Sequence, residues 1–340
     1  MQIKFIITRL GLSLILFGLA SFILLVSDLG NRKGKGGKQK VICLVQYSES
    51  TISDETKIGC LEGFKTAGLI LGKDFEWKYY NAQGDIPTLN TIMDAVNNNE
   101  DDILIVSSTP TLQAAIKKVK NIPIVFTTIA DPIVAGAGKS FTDHLPNVTG
   151  VATLGDYEGL IKQLVIMMPG IKKIGTLFSP GEANSVHNKE FLNVVANKYG
   201  LSLVAVPVNS PSDVMDAATS LCSKKIEAIT QIVDNMIDGS FVSISKVARK
   251  SKMPLFGYVT AQATKGAIAV VARDYQQSGK EAAILAARIL RGGNPKDIPI
   301  KPVEKSLFVI NAEAARYYGI AISKELISTA DRVIEVNDGR

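Results

Sequence analysis

From Val41 onward the chain alternates between two rhythms. Short runs rich in Val, Ile and Phe predict strands at Val41–Val45, Glu76–Tyr80, 103–106, 123–127, Val148–Val151, 174–178, 202–207, 227–232, 254–258, 267–271 and Leu307–Ile310. Between them, apolar positions recur at helical spacing and predict helices at Asp54–Ala67, Ile86–Asn97, Tyr157–Met168, Gln276–Arg291 and Ala312–Tyr318. In the first of these, Ile58, Leu61, Phe64 and Lys65 share a face. The helix from Gln276 stops at Gly292-Gly293, residues suited to ending one. Strands alternating with helices predict an α/β chain of two doubly wound parallel sheets, one in each half.

Four strands run straight into polar turns and then, by pattern, into helices. They are Ile103–Val106 into Ser107-Ser108-Thr109-Pro110, Ile124–Phe126 into Thr127 through Asp131-Pro132, Ile174–Phe178 into Ser179 through Ser185, and Ile229–Val233 into Asp234-Asn235. Two fall in each half. Ligands of parallel α/β sheets bind at the carboxyl ends of the strands, where helix N-termini point. Four such turns therefore predict two lobes facing one another across a cleft. Thr109-Pro110 and Asp131-Pro132 read as an acceptor capping a helix with proline at its first position. The same N-terminal N–H groups suit a carboxylate or phosphate. Asp131, Glu182 and Asp234 could pair with a ligand ammonium, or serve as caps. A solute with both an amino and a carboxyl group would use both kinds of turn.

The segment ahead of Val41 is different. Leu10 to Val26 is 17 residues without a charge, preceded by Lys4 and Arg9. We read 1–27 as a signal-anchor or transmembrane segment and 28–40 as a basic Gly/Lys linker. No convincing small-x-small cleavage site follows, and no lipid-accepting cysteine. This places the body outside the cytoplasmic membrane, although the basic flank from Arg32 to Lys40 leaves the opposite topology open.

Charge and chemistry narrow the function. The formal net charge is +6 and the pI about 9.0. Residues 1–40 hold seven cations against Asp28, an excess equal to the whole net charge. The neutral body lacks the basic face that nucleic acid requires. Cys43, Cys60 and Cys222 have neither an even count nor a CxxC spacing, so they read as buried thiols. His144 and His187 have no nucleophile and orienting acid at motif spacing, and the Gly34–Lys38 run imitates a phosphate loop only in composition. No cofactor, metal site or catalytic group is expected.

Longer stretches resemble a known family. Ile122–Phe126 through Ala130-Asp131-Pro132, Asn147-Val148-Thr149-Gly150-Val151, and Ile174-Gly175 through Glu182-Ala183-Asn184-Ser185 are similar to ABC-transporter substrate-binding proteins of the tryptophan/tyrosine-binding type. Asp234-Asn235, Gly266-Ala267, Asp274-Tyr275 through Gly279, Tyr318-Gly319-Ile320 and Ala330 through Glu335 continue the match, over about 41–336. The resemblance implies a type I periplasmic-binding-protein fold with three crossovers near 150–156, 272–275 and 298–304. Lobe 1 would be 41–152 plus 274–298, and lobe 2 would be 153–273 plus 303–336. It implies a small solute, often an aromatic amino acid, with ABC permease and ATPase subunits as partners. Carried over by position, Thr109, Thr128 and Asp131 would bind from lobe 1, with Gln46 at the cleft edge. Glu182, Asn184, Ser185, Asp234 and Asn235 would bind from lobe 2. Tyr47, Phe178 and Tyr258 would flank an apolar side chain or belong to the core. A membrane-anchored sensor using the same module is the alternative.

Overall fold

The computed structural model describes Ser21, residues 39–99 and residues 101–335. Apart from Ser21, the expected anchor lies outside the described residues, as does all but the end of the basic linker. Among the described residues no helix is long and apolar enough to cross a membrane. The chain divides after Lys40, and apart from Lys40, which begins β1, the architecture below belongs to the part from Val41 on.

Among the described residues thirteen strands form two sheets. The first holds β1 (Lys40–Gln46), β2 (Phe75–Asn81), β3 (Ile103–Ser107), β4 (Ile124–Ile129), β5 (Val148–Ala152) and β11 (Lys301–Pro302), in the order β11-β5-β4-β3-β1-β2. The second holds β6 (Lys173–Phe178), β7 (Ser202–Pro207), β8 (Ala228–Thr230), β9 (Leu255–Gly257), β10 (Ala269–Arg273), β12 (Ser306–Asn311) and β13 (Arg332–Ile334), in the order β13-β12-β10-β9-β8-β6-β7. Parallel pairing runs through β1–β3–β4–β5–β11 and through β7–β6–β8–β9–β10. Strand β12 runs against its neighbour β10, and β13 runs parallel to β12. The central strands are apolar from end to end because helices cover both faces: every residue of β3, Ile-Leu-Ile-Val-Ser, is buried. Edge strand β7 is only half-buried. The molecule is thus α/β with two parallel-dominated sheets, as the pattern predicts.

The helices are α1 (Thr51–Thr66), α2 (Ile86–Asn98), α3 (Thr109–Lys118), α4 (Tyr157–Met167), α5 (Ala183–Lys198), α6 (Val214–Cys222), α7 (Asn235–Gly239), α8 (Phe241–Lys250), α9 (Thr260–Thr264), α10 (Tyr275–Leu290), α11 (Ala312–Tyr317) and α12 (Lys324–Ser328). One predicted junction differs. After β4 the chain makes turns rather than a helix, so Asp131-Pro132 opens no helix; Asp131 Oδ1 instead accepts from the N–H groups of Ile133 and Val134, at 2.8 and 3.0 Å. Four apolar cores result, two flanking each sheet. Cys43 and Cys60 are buried free thiols, with Cys222 partly covered.

The chain passes between the sheets three times, after β5, after β10 and after β11. Arg273, the last residue of β10, joins all three passages. Its guanidinium donates to the carbonyls of Leu154 (2.8 Å) and Glu304 (2.6 Å) and to Ser306 Oγ (2.8 Å). Helix α10 then packs on the first sheet, its Ala282, Ala283, Ala286 and Ala287 buried against Ile42 and Leu44. It lies so close to α1 that a Cβ on Gly59 would stand 1.9 Å from the Gln276 carbonyl oxygen, and one on Gly63 2.3 Å from that of Lys280. Ser278 of α10 hydrogen-bonds the hydroxyls of Thr127 (2.7 Å) and Thr153 (3.0 Å), fixing the helix start to the ends of β4 and β5.

Candidate functional site

The carboxyl ends of strands from both sheets meet around one cavity of about 40 Å³. Its wall from the first sheet comprises the turn after β1 (Tyr47, Ser48, Ser50), the β3–α3 junction (Ser107, Ser108, Thr109), Thr128 and Ala130 of the β4 end, and Thr153. From the second sheet come Asn184 and Asn188 of α5, and Val233, Asp234, Asn235 and Asp238 around α7. Tyr275, first residue of α10, completes the wall where the chain crosses between sheets. An outer chamber of about 590 Å³ adjoins it, sharing Tyr47, Ser48 and Asn235 and adding Glu49 and Glu182.

Local backbone geometry aims these groups. The β4 register shifts between Phe126 and Ile129, and Thr128 takes a φ of 56°. Such a bulge redirects a side chain at a strand end. Ser108 has a φ of 85°, a left-handed conformation that costs a non-glycine residue energy and clusters at binding sites. The sequence reading made Thr109 the cap of α3; Ser108 holds that position and makes no side-chain capping bond. The α3 N-terminus therefore opens to the cavity with N–H groups available to an anion. Ser107 and Thr128 join hydroxyls at 2.5 Å beside it.

The opposite wall is acidic. Asp234 is buried; its Oδ1 accepts from Ile237 N–H (2.8 Å) and its Oδ2 from Ser179 N–H (3.0 Å). Asp238 is 5 % exposed, and its Oδ1 accepts from Gln262 Nε2 at 3.0 Å. Burial pushes the Asp238 carboxyl above the usual carboxylate range. Glu182 Oε2 accepts from Asn235 Nδ2 (2.6 Å) and Asn184 Nδ2 (3.3 Å). Burial, reinforced by the Asp234 charge, moves Glu182 up to about 7. Among the described residues no lysine, arginine or histidine lines the cavity.

Of the residues expected from the sequence, Thr109, Thr128, Asn184, Asp234 and Asn235 are brought together on the cavity. Five are not. Gln46 is buried, donating to the Ser53 carbonyl (2.7 Å) and accepting from Tyr79 OH (2.9 Å). Ser185 accepts from Ser179 N–H at 2.8 Å inside its own turn. Tyr258 is a core residue, its ring 4.5 Å from that of Tyr157. Asp131 caps its turn, and Glu182 lines the outer chamber. Phe178 also packs on a core of the second sheet, whereas Tyr47 does reach the cavity. The sequence reading missed Asn188, Asp238 and Tyr275. A signal existed for the first two: each lies four residues beyond a selected residue, Asn184 and Asp234, and such positions share a helix face.

A family model described as ABC transporter substrate binding protein matches residues 41–334. The chain belongs to this family. Its members bind small solutes outside the cytoplasm and work with ABC transporter components; they are not enzymes. The tyrosine-binding protein of Clostridioides difficile is 30% identical over 286 residues, covering 84% of this chain and 83% of that one. Among solved structures, an ABC domain from Streptococcus pneumonia in complex with L-Trp superposes with a TM-score of 0.84 at 26% identity, over 87% of this chain and all of that one. A ligand-free, open substrate-binding protein with adhesive properties from Clostridium difficile superposes at only 0.68. Its identity is the same 26%, over 87% of this chain and 99% of that one.

Proposed function

We propose that this protein is the solute receptor of an ABC import system, binding an amino acid, with aromatic ones favoured, between lobes 41–152 plus 274–298 and 153–273 plus 303–336. One observation carries the reading: a cavity at the converging strand ends has an uncapped helix N-terminus on one wall and buried carboxylates on the other, with no cation between. An α-carboxylate suits the first wall and an ammonium the second. The tyrosine-binding relative and the L-Trp complex support the solute class.

The better superposition on the complex than on the open structure supports a closed arrangement. The cavity, about 40 Å³, admits a few waters at most. An aromatic amino acid therefore enters by a parting of the strand ends about the three crossovers, and binding shifts the open–closed equilibrium. The N-terminal apolar segment would tether the body at the outer membrane face, and the closed form would dock on permease subunits that an ATPase drives.

Thermal-shift measurements on the full-length chain, with detergent present, test the reading. L-tyrosine or L-tryptophan at saturating concentration is expected to raise the melting temperature; no response to any amino acid overturns it. Uptake of the stabilising amino acid by cells is expected to fail without this protein. Unimpaired uptake would favour the sensor instead.

A further inference from the structure

We propose that Asp238, Asn188 and Tyr275 form the subsite that reads the solute's ammonium group, in place of the acidic residues at the turns. Three observations converge on it. Asn188 is fully buried, and its Nδ2 donates to the Val233 carbonyl at 2.7 Å. That bond fixes the amide orientation and leaves Asn188 Oδ1, a pure acceptor, with no donor. Tyr275 is 1 % exposed and its hydroxyl has no hydrogen-bond partner. Asp238 is a buried carboxylate with no cation within ion-pair distance among the described residues. All three line the same cavity from three different elements, α5, α7 and the start of α10.

Leaving such groups unpaired when buried costs free energy, so they persist where a ligand completes them. What they lack has one sign. Asn188 Oδ1 and the Asp238 carboxylate can only accept, and the phenol oxygen can accept as well as donate. Asp238 and Glu55 both act electrostatically on Tyr275, opposed by Arg273, whose guanidinium is itself engaged by Leu154, Glu304 and Ser306. A group with several N–H donors and a positive charge meets all of these needs; a carboxylate, phosphate or neutral sugar does not. Asp234 is less available, because both of its oxygens already accept backbone N–H groups. Tyr275 also opens the helix that carries the chain back from the second sheet to the first, so a solute bound there touches a crossover directly.

This subsite rests on the amino-acid reading above, and titration calorimetry on the full-length protein separates the two. The probes are L-tryptophan, L-tyrosine and their counterparts lacking the amino group, indole-3-propionate and 3-(4-hydroxyphenyl)propionate. Wild type is expected to prefer the amino acids by about 100-fold or more, since a site built for hydrogen-bonding donors rejects the analogue without them. Tyr275→Phe is expected to weaken amino-acid binding about 10-fold while leaving the solute-free melting temperature unchanged or raised, because the hydroxyl has no partner within the protein. Asp238→Asn is expected to narrow the preference for the amino acids over their deaminated counterparts by about 10-fold. Wild-type binding that both variants reproduce, or deaminated compounds bound as tightly as the amino acids, overturns the subsite and leaves the receptor reading intact. Failure of wild type to bind any amino acid overturns both.

Discussion

Asp131 Oδ2 lies 3.8 Å from His187 Nε2, joining the turn after β4 of the first sheet to helix α5 of the second. Neither side chain lines the cavity. A second contact of the same kind, Thr260 Oγ1 donating to Glu55 Oε1 at 2.8 Å, joins α9 to α1. In the first sheet these contacts depart from β4 and β1, which flank β3 and its open helix end. They hold the strand ends of the two sheets together on either side of the cavity.

Removing such a contact is expected to weaken the closed arrangement proposed above without touching solute. Asp131→Asn keeps an oxygen for the N–H groups of Ile133 and Val134 but loses the charge. Affinity for an amino acid is expected to fall about 2- to 5-fold, in the range of a partly exposed polar contact, mainly through faster dissociation. Stopped-flow binding with His187→Gln alone and combined with Asp131→Asn checks this; additive losses in the double variant would show that the two residues act separately.

Arg273 is the point where the three crossovers are tied. Arg273→Gln removes charge-assisted bonds to Leu154, Glu304 and Ser306. We expect a loss of about 1–3 kcal/mol in urea unfolding, reduced from the sum of three bonds because the side chain is only half-buried.

Glu182 gives a pH dependence of definite sign. Its carboxyl is raised to about 7 in the folded protein, from an ordinary value of 4.5. The folded state therefore holds a proton that the unfolded chain releases, and stability falls as pH rises from about 4.5 through 7. Glu182→Gln cannot ionise. The melting temperature of the variant relative to wild type is expected to rise across that interval and to be level below it.

The contact of α1 with α10 allows no side chain at Gly59. Gly59→Val is expected to cost about 1–3 kcal/mol or more, since the obstacle is the Gln276 backbone carbonyl rather than a movable side chain. Gly181→Ala, where an added Cβ meets nothing within 4 Å, is expected to stay within about 0.5 kcal/mol of wild type. Denaturant midpoints of the two variants make the comparison.

The α/β class, the succession of strands and helices and the polar turns at their ends are legible in the residues from Val41 on. Periodicity reports burial: β3 reads as apolar throughout because both its faces are covered. A neutral body and the absence of a nucleophile with its base are equally visible. Only the tertiary structure decided which polar groups face the cavity. An acceptor beside a turn reads the same whether it bonds its own backbone, as Asp131 and Ser185 do, or stands on the cavity wall, as Asn184 does. Tyr258 and Tyr275 are both buried tyrosines past the end of a strand, yet one packs on Tyr157 in a core and the other turns to the cavity. Residue type fixes what a group can bond. Which partner reaches it depends on strands far apart in sequence, and that is set by the packing of two sheets and not by local pattern.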